Sequence, residues 1–280
     1  MSIQTNLEAL VRACLEEDIG QRDITTEATV PADARCEARL IAKQSGVLSG
    51  MEPFELSFEE LDADIEDWDA RPDGDSFQEG DLLARFKGHT RPVLTAERTA
   101  MNFVQHLSGV ATLTSRFVAE LDGLDCRICN TRKTTPMLRY LEKAAVVHGG
   151  GVDHRYNLFN GILIKENHIT AAGSIRDAIY KASHGTHHLM RVAVEVTDLD
   201  EFDHAIEGGA DVIILDNMSL DDMREAVRRG EGHRVFLEGS GNATLDRVRA
   251  MAETGVRFIS VGALTHSAPI VDMTLLIDNV

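Results

Sequence analysis

No stretch of this 280-residue chain stays apolar over anything near the roughly 20 residues a membrane span needs, so no membrane helix is expected. The opening MSIQTNLEALVRACLEEDIG lacks a charged-then-apolar leader pattern and reads as a helix, which predicts a cytoplasmic protein. Cysteine is sparse, with four residues. Cys126 and Cys129 form a C-x-x-C, but one such pair is half of a structural zinc site. On a strand, positions i and i+3 face opposite ways, so buried apolar thiols are expected instead. Basic charge is short too: 28 Lys and Arg against 46 Asp and Glu leave a net charge of -18, without the basic footprint of a nucleic-acid binder. Neither G-x-x-x-x-G-K-S/T nor G-x-G-x-x-G occurs, so neither a P-loop nor a dinucleotide fingerprint is supported.

What is present is ordinary for a globular protein, at 43% hydrophobic and 26% charged residues, and the length suits two domains. Residues 1–110 mix a leading helix, the alternating stretch ARCEARLIA and turn-rich segments such as RPDGDSFQEGD. A helical pattern from Pro92 to Leu121, interrupted near Gly109, follows. This half predicts an α+β domain. Residues 111–270 change rhythm: CRICNTRK, GILIK, RVAVEV, DVIILD, RVFLEG and RFISVG are short β-rich runs, each followed by a helical stretch. Their end residues Lys133, Lys165, Glu195, Asp216, Glu238 and Gly262 recur every 21 to 32 residues, room for one strand and one returning helix. The expected fold class is α/β: an N-terminal α+β domain, then an incomplete, open β/α barrel with one weakly patterned strand around AAVVHGGG. Residues 271–280 are expected to pack back on the first domain.

In β/α barrels the active site lies at the C-terminal ends of the strands, where two lysines and three acids fall here. Arg132, Lys133, His154, Arg155 and Lys165 lie within one short span of this acidic chain. Arg suits bidentate recognition of carboxylate or phosphate, and Lys supplies a compact charge, so a polyanionic substrate is the expected partner. GSGNAT at 239–244 and VGALTHS at 261–267 follow the last two strands, where backbone N–H groups bind phosphate. Glu195 and Asp216 suit a divalent cation or sugar hydroxyls.

NTRKTTP, GGGVDHR, ILIKENHI, AVEV, IILDNMS, EGSGN and ISVGALTHSAP occur in this order, after DITTEATVP, SGVLSG and ERTAMNFVQHLSG. Together they resemble the quinolinate phosphoribosyltransferase family, the carboxylating nicotinate-nucleotide pyrophosphorylases, over essentially the whole chain. The resemblance implies a pentosyltransferase of de novo NAD biosynthesis. Quinolinate and phosphoribosyl pyrophosphate would give nicotinate mononucleotide, pyrophosphate and CO2, with Mg2+. It implies that Arg98, Arg132, His154, Arg155 and Lys165 hold the carboxylates and phosphates, with Lys133 beside the reacting groups. Glu195 and Asp216 would contact the ribose hydroxyls and the Mg2+ region, the metal being held mainly by substrate. Ser240, Gly241, Asn242, Gly262 and Ala263 would hold the 5-phosphate. It also implies a homodimer, or a hexamer built from dimers, in which Arg98 completes the partner's site. Ala193 and Asn242 depart from the family pattern. Three rivals are a molybdenum-pathway paralogue of the same fold, a Schiff-base aldolase using Lys165 and a non-catalytic ligand-binding module.

Overall fold

The computed structural model describes residues 3–280, with side chains from residue 7 onward. The chain divides into two compact units. The first gathers everything up to Leu113 with Thr135–Gly150 and Ser267–Val280; the second is Thr114–Thr134 with Gly151–His266. The boundaries expected at 110 and 270 differ from these units chiefly over residues 135–150. Residues 135–150 join the first unit because helix Arg139–His148 buries Leu141, Ala145 and Val146, and because His106 Nε2 meets the fully buried Glu142 at 2.9 Å.

In the first unit, four antiparallel strands run in the order Met273–Asn279, Arg35–Ala42, Leu82–His89, Glu66–Ala70. Strand Arg35–Ala42 buries every second residue, Cys36, Ala38, Leu40 and Ala42, as period-2 alternation requires of a half-covered sheet. Phe54, Phe58 and Phe86 are fully buried and pack with Trp68. The C-terminal strand pairs with Arg35–Ala42 from Ala42↔Met273 to Cys36↔Asn279. Helix Thr90–Ala119 passes through Gly109 unbroken, contrary to the interruption read from sequence. That glycine serves close approach: a Cβ there would stand 2.1 Å from the Pro269 carbonyl oxygen.

In the second unit all six expected strands form one parallel sheet. The order is Arg127–Cys129, Phe258–Ser260, Phe236–Ser240, Val212–Asp216, Val192–Val196, Ile162–Ile164. The first and last do not pair, so the barrel stays open. The weak strand expected at AAVVHGGG is a helix as far as His148; amphipathic spacing across Arg139–His148 outweighs the β-branched Val146 and Val147. What remains of that strand is one parallel bridge, Cys129↔Val152.

The sheet has two chemically distinct faces. Val194, Ile213, Leu215, Leu237 and Ile259 are buried, as are Phe202, Ala205, Met223, Ala226, Val248 and Met251 on the returning helices. The alternate positions Glu195, Ile214, Asp216, Glu238, Ser240 and Ser260 line a cleft. Register aligns them, since Ile214 is the lateral partner of both Glu195 and Glu238, and Asp216 of Ser240. Cys126 is inert: burial pushes its thiol up to about 11. Among the described residues no helix is long and apolar enough to cross a membrane.

Candidate active site

The cleft encloses about 350 Å³. Arg132, Lys133, His154, Arg155, Lys165, Glu195, Asp216 and Ser240 all line it, brought together from strand ends spread over more than a hundred residues. A second cavity of about 440 Å³ shares Lys133, Asp216 and Ser240 and adds Gly241, Asn242, Gly262 and Ala263. Arg98 lines neither cavity; it is exposed on helix Thr90–Ala119.

His154, Arg155 and Lys133 are placed by hydrogen bonds that involve the backbone. The fully buried Asn130 donates from Nδ2 to Asp153 Oδ1 (2.7 Å) and accepts from the His154 N–H (3.1 Å), which fixes the turn after the glycine run. The Arg155 N–H donates to His154 Nδ1 (2.8 Å), so a neutral His154 carries its proton on Nε2. Arg155 also donates from Nη1 to the Gly161 carbonyl (3.1 Å). Its pKa is lowered, first by burial and then by the Arg132 charge, with Glu195 acting the other way. Arg132 Nε is buried without a hydrogen-bond partner. Two crowded guanidiniums, one with an unused donor, suit an anion that the protein itself does not supply. Lys165 Nζ is ion-paired to Glu195 Oε1.

Lys133 is held by its main chain: its N–H donates to Thr131 Oγ1 (3.0 Å) and its carbonyl accepts from Thr265 Oγ1 (2.7 Å). Gly262 leaves room for its side chain, since a Cβ there would lie 3.0 Å from Lys133 Cδ and 3.2 Å from His266 Nε2. Gly241 adopts φ +79° at the end of strand Phe236–Ser240, a backbone that glycine reaches without strain.

Four contributors are not among the site residues expected from the sequence. Glu238, read only as a strand-end acid, is 4% exposed; its Oε1 has no hydrogen-bond partner and its Oε2 lies 3.7 Å from His154 Nε2. Burial raises its pKa to about 7, opposed by the neighbouring Ser260 hydroxyl and reinforced by the Glu195 charge. Asn130, Asn217 and Ser260 were missed because a short polar residue beside a strand end carries no periodic or charge signal. Asn130 and Asn217 nevertheless stand inside the motifs NTRKTTP and IILDNMS, which carry the family resemblance.

Two family descriptions match the chain: the N-terminal domain of quinolinate phosphoribosyl transferase over residues 23–108, and its C-terminal domain over residues 110–276. This chain belongs to the quinolinate phosphoribosyl transferase family. Among its relatives, the probable nicotinate-nucleotide pyrophosphorylase (carboxylating) of Bacillus subtilis is 39% identical, covering 96% of this chain and 92% of the relative. The chloroplastic nicotinate-nucleotide pyrophosphorylase (carboxylating) of Arabidopsis thaliana is 37% identical, covering 98% and 83%. The solved nicotinate-nucleotide pyrophosphorylase of Francisella tularensis superposes with a TM-score of 0.93 at 38% identity, covering 99% of this chain and 98% of that one. Its counterpart from Ehrlichia chaffeensis gives 0.91 at 33%, with 99% of both chains covered. The open six-stranded barrel and its cationic cleft thus lie within the residues that match the C-terminal domain of the quinolinate phosphoribosyl transferases.

Proposed function

We propose that this chain transfers a phosphoribosyl group from phosphoribosyl pyrophosphate to quinolinate, releasing pyrophosphate and CO2 and leaving nicotinate mononucleotide. The observation that carries this reading is the cleft. Arg132, Lys133, His154, Arg155 and Lys165 face Glu195 and Asp216 in a chain whose net charge is -18. Both substrates are polyanions, so their charge is matched locally while the rest of the surface stays acidic. Full-length relatives bearing the carboxylating name support the same reaction.

The residues present divide the work. Arg132, His154, Arg155 and Lys165 neutralise and orient the dicarboxylate, fixing the pyridine nitrogen toward the sugar. Departure of pyrophosphate leaves oxocarbenium-like charge on the ribose, which Glu195 and Asp216 stabilise from preset positions. Once alkylated, the pyridinium nitrogen is the electron sink for loss of the adjacent carboxylate as CO2; the ring carbon then takes a proton from water, and no covalent protein nucleophile is needed. The loop of Ser240, Gly241 and Asn242, with Gly262 and Ala263, takes the 5-phosphate. Mg2+ fits in part: Asp216 and Glu195 offer hard oxygen donors, but among the described residues no three His, Cys, Asp or Glu converge as a metal group. The ion would therefore arrive with the diphosphate, supplying charge neutralisation to the leaving group. The Lys165–Glu195 ion pair engages the amine that a Schiff-base aldolase would need free.

Incubation with quinolinate, phosphoribosyl pyrophosphate and Mg2+ is expected to yield nicotinate mononucleotide and CO2; absence of product from folded protein sinks the reading. Nicotinate, one carboxylate poorer, should turn over at least about 10³-fold less efficiently, because it leaves cleft cations unpaired. Comparable turnover of nicotinate would overturn the roles of Arg132, His154 and Arg155.

We read the functional assembly as a homodimer in which Arg98 serves its twin's cleft. Arg98→Ala and Lys165→Ala subunits, each inactive alone, should recover about a quarter of wild-type activity when unfolded and reassembled in equal amounts, because half the dimers are mixed and each holds one intact site. Background activity after verified subunit exchange would sink the shared site, because no mixed dimer holds an intact site when Arg98 acts within its own chain.

A further inference from the structure

Two asparagines outside the charged set link the parts of the site. Asn217 follows Asp216 and adopts φ +56°; Asn242 lies in the loop after strand Phe236–Ser240 and adopts φ +50°. Both occupy the left-handed region, which asparagine tolerates better than most residues but which still carries a cost. Asn217 Nδ2 donates to Asp216 Oδ2 at 3.0 Å, and Asn242 Nδ2 donates to Asn217 Oδ1 at 3.0 Å. A carboxylate only accepts, so Asn217 must present its NH2 to Asp216, and its carbonyl is left facing Asn242. The direction of the chain is thereby set. The main chain reinforces it: the Asn217 N–H donates to the Ser240 carbonyl at 2.9 Å, and Arg247 donates to the carbonyls of Met218 (3.3 Å) and Asn242 (3.4 Å). Gly241 completes the fit, because a Cβ there would fall 2.2 Å from Asn217 Oδ1.

We propose that Asn217 is a positioning residue that couples the Ser240–Asn242 loop to the Asp216 carboxylate, so that the phosphate and the sugar hydroxyls of one ligand are read together. The inference rests on the reading of this cleft as a phosphoribosyl site. Asp216 and the loop line one cavity of about 440 Å³, so a sugar phosphate spanning it touches both ends of the relay. Ordering of the loop by phosphate pulls on Asn242, and through Asn217 it aims the Asp216 oxygens.

The truncation that tests this is Asn217→Gly, which deletes the amide while suiting the positive φ. Calorimetric affinity for ribose 5-phosphate should fall about tenfold, the scale of one hydrogen bond to a charged group. Affinities for orthophosphate and for quinolinate should each stay within about twofold, since neither ligand spans the relay. Asn242→Gly, which cuts the far end, should lower ribose 5-phosphate affinity less, and the double variant should bind no more weakly than Asn217→Gly alone. Uniform loss for all three ligands, full additivity, or unchanged ribose 5-phosphate affinity in Asn217→Gly each overturns the coupling. Should Asn217→Gly not fold, Asn242→Gly decides by the same comparison of ribose 5-phosphate with orthophosphate. A wild-type protein that binds ribose 5-phosphate and shows this pattern, yet forms no mononucleotide, overturns the proposed reaction and leaves the relay standing.

Discussion

At Glu238 the cost of burying a carboxyl group is visible in one side chain. Its proton is held to about pH 7 in the folded protein, against about 4.5 for an ordinary glutamate. Between those values the unfolded chain releases the proton while the folded one keeps it, so this residue makes stability fall as pH rises through that window and level off above it. Glu238→Gln should remove the effect. The variant is expected to gain on wild type by at most about 3 kcal/mol between pH 5 and pH 8, read from denaturant midpoints. A stability difference that does not change with pH would show that burial does not control this group. The groups facing Glu238 are His154, Ser260 and Glu195, so its ionisation would also be felt in the cleft. Glu238 also marks the limit of sequence reading. Lys133, Lys165, Glu195 and Asp216 were legible because a charged residue ending an apolar run stands out. The depth of Glu238, the buried bridge at Asn130 and the left-handed turn at Asn217 depend on neighbours that no local pattern names.

At the level of elements, alternation was the most readable signal. Six strands were expected from apolar runs of the right spacing, and six form the parallel sheet. Two expectations failed for identifiable reasons. AAVVHGGG looked strand-like because two adjacent valines dominate a short window, whereas the full stretch from Arg139 carries a helical stripe of Leu141, Ala145 and Val146. Gly109 looked like a breaker because glycine is a poor helix former, yet here the missing side chain lets the Pro269 carbonyl come close. Gly109→Ala should therefore do the opposite of what helix propensity says. Instead of the gain of up to about 1 kcal/mol expected at an open helical site, a loss of about 2–3 kcal/mol is expected from overpacking. A melting temperature equal to or above wild type would refute that account.

For the molecule as a whole, charge is distributed against function at long range and in its favour at short range. Many arginines outside the cleft are committed to surface ion pairs, among them Arg35 with Asp64, Arg39 with Asp278 and Arg229 with Asp203. The acidic remainder repels an approaching polyanion. Salt shortens the reach of that field to about 10 Å at 0.1 M, while contacts inside the cleft are screened far less. Raising ionic strength from about 0.01 to 0.1 M should therefore lower the KM for phosphoribosyl pyrophosphate, the reverse of ordinary electrostatic steering. A KM that climbs steadily across that range would show that attraction by the cleft dominates at every distance. One further consequence comes from the order in which the chain is made. The second unit is inserted within the first, and the strand that flanks Arg35–Ala42 is Met273–Asn279, at the very end. During synthesis every residue of the inserted unit leaves the ribosome before its host can finish its sheet. Until then Arg35–Ala42 waits with an open edge, the kind of surface that invites wrong pairing. A released chain truncated after residue 272 should thus protect the inserted unit from protease while its host is still cut.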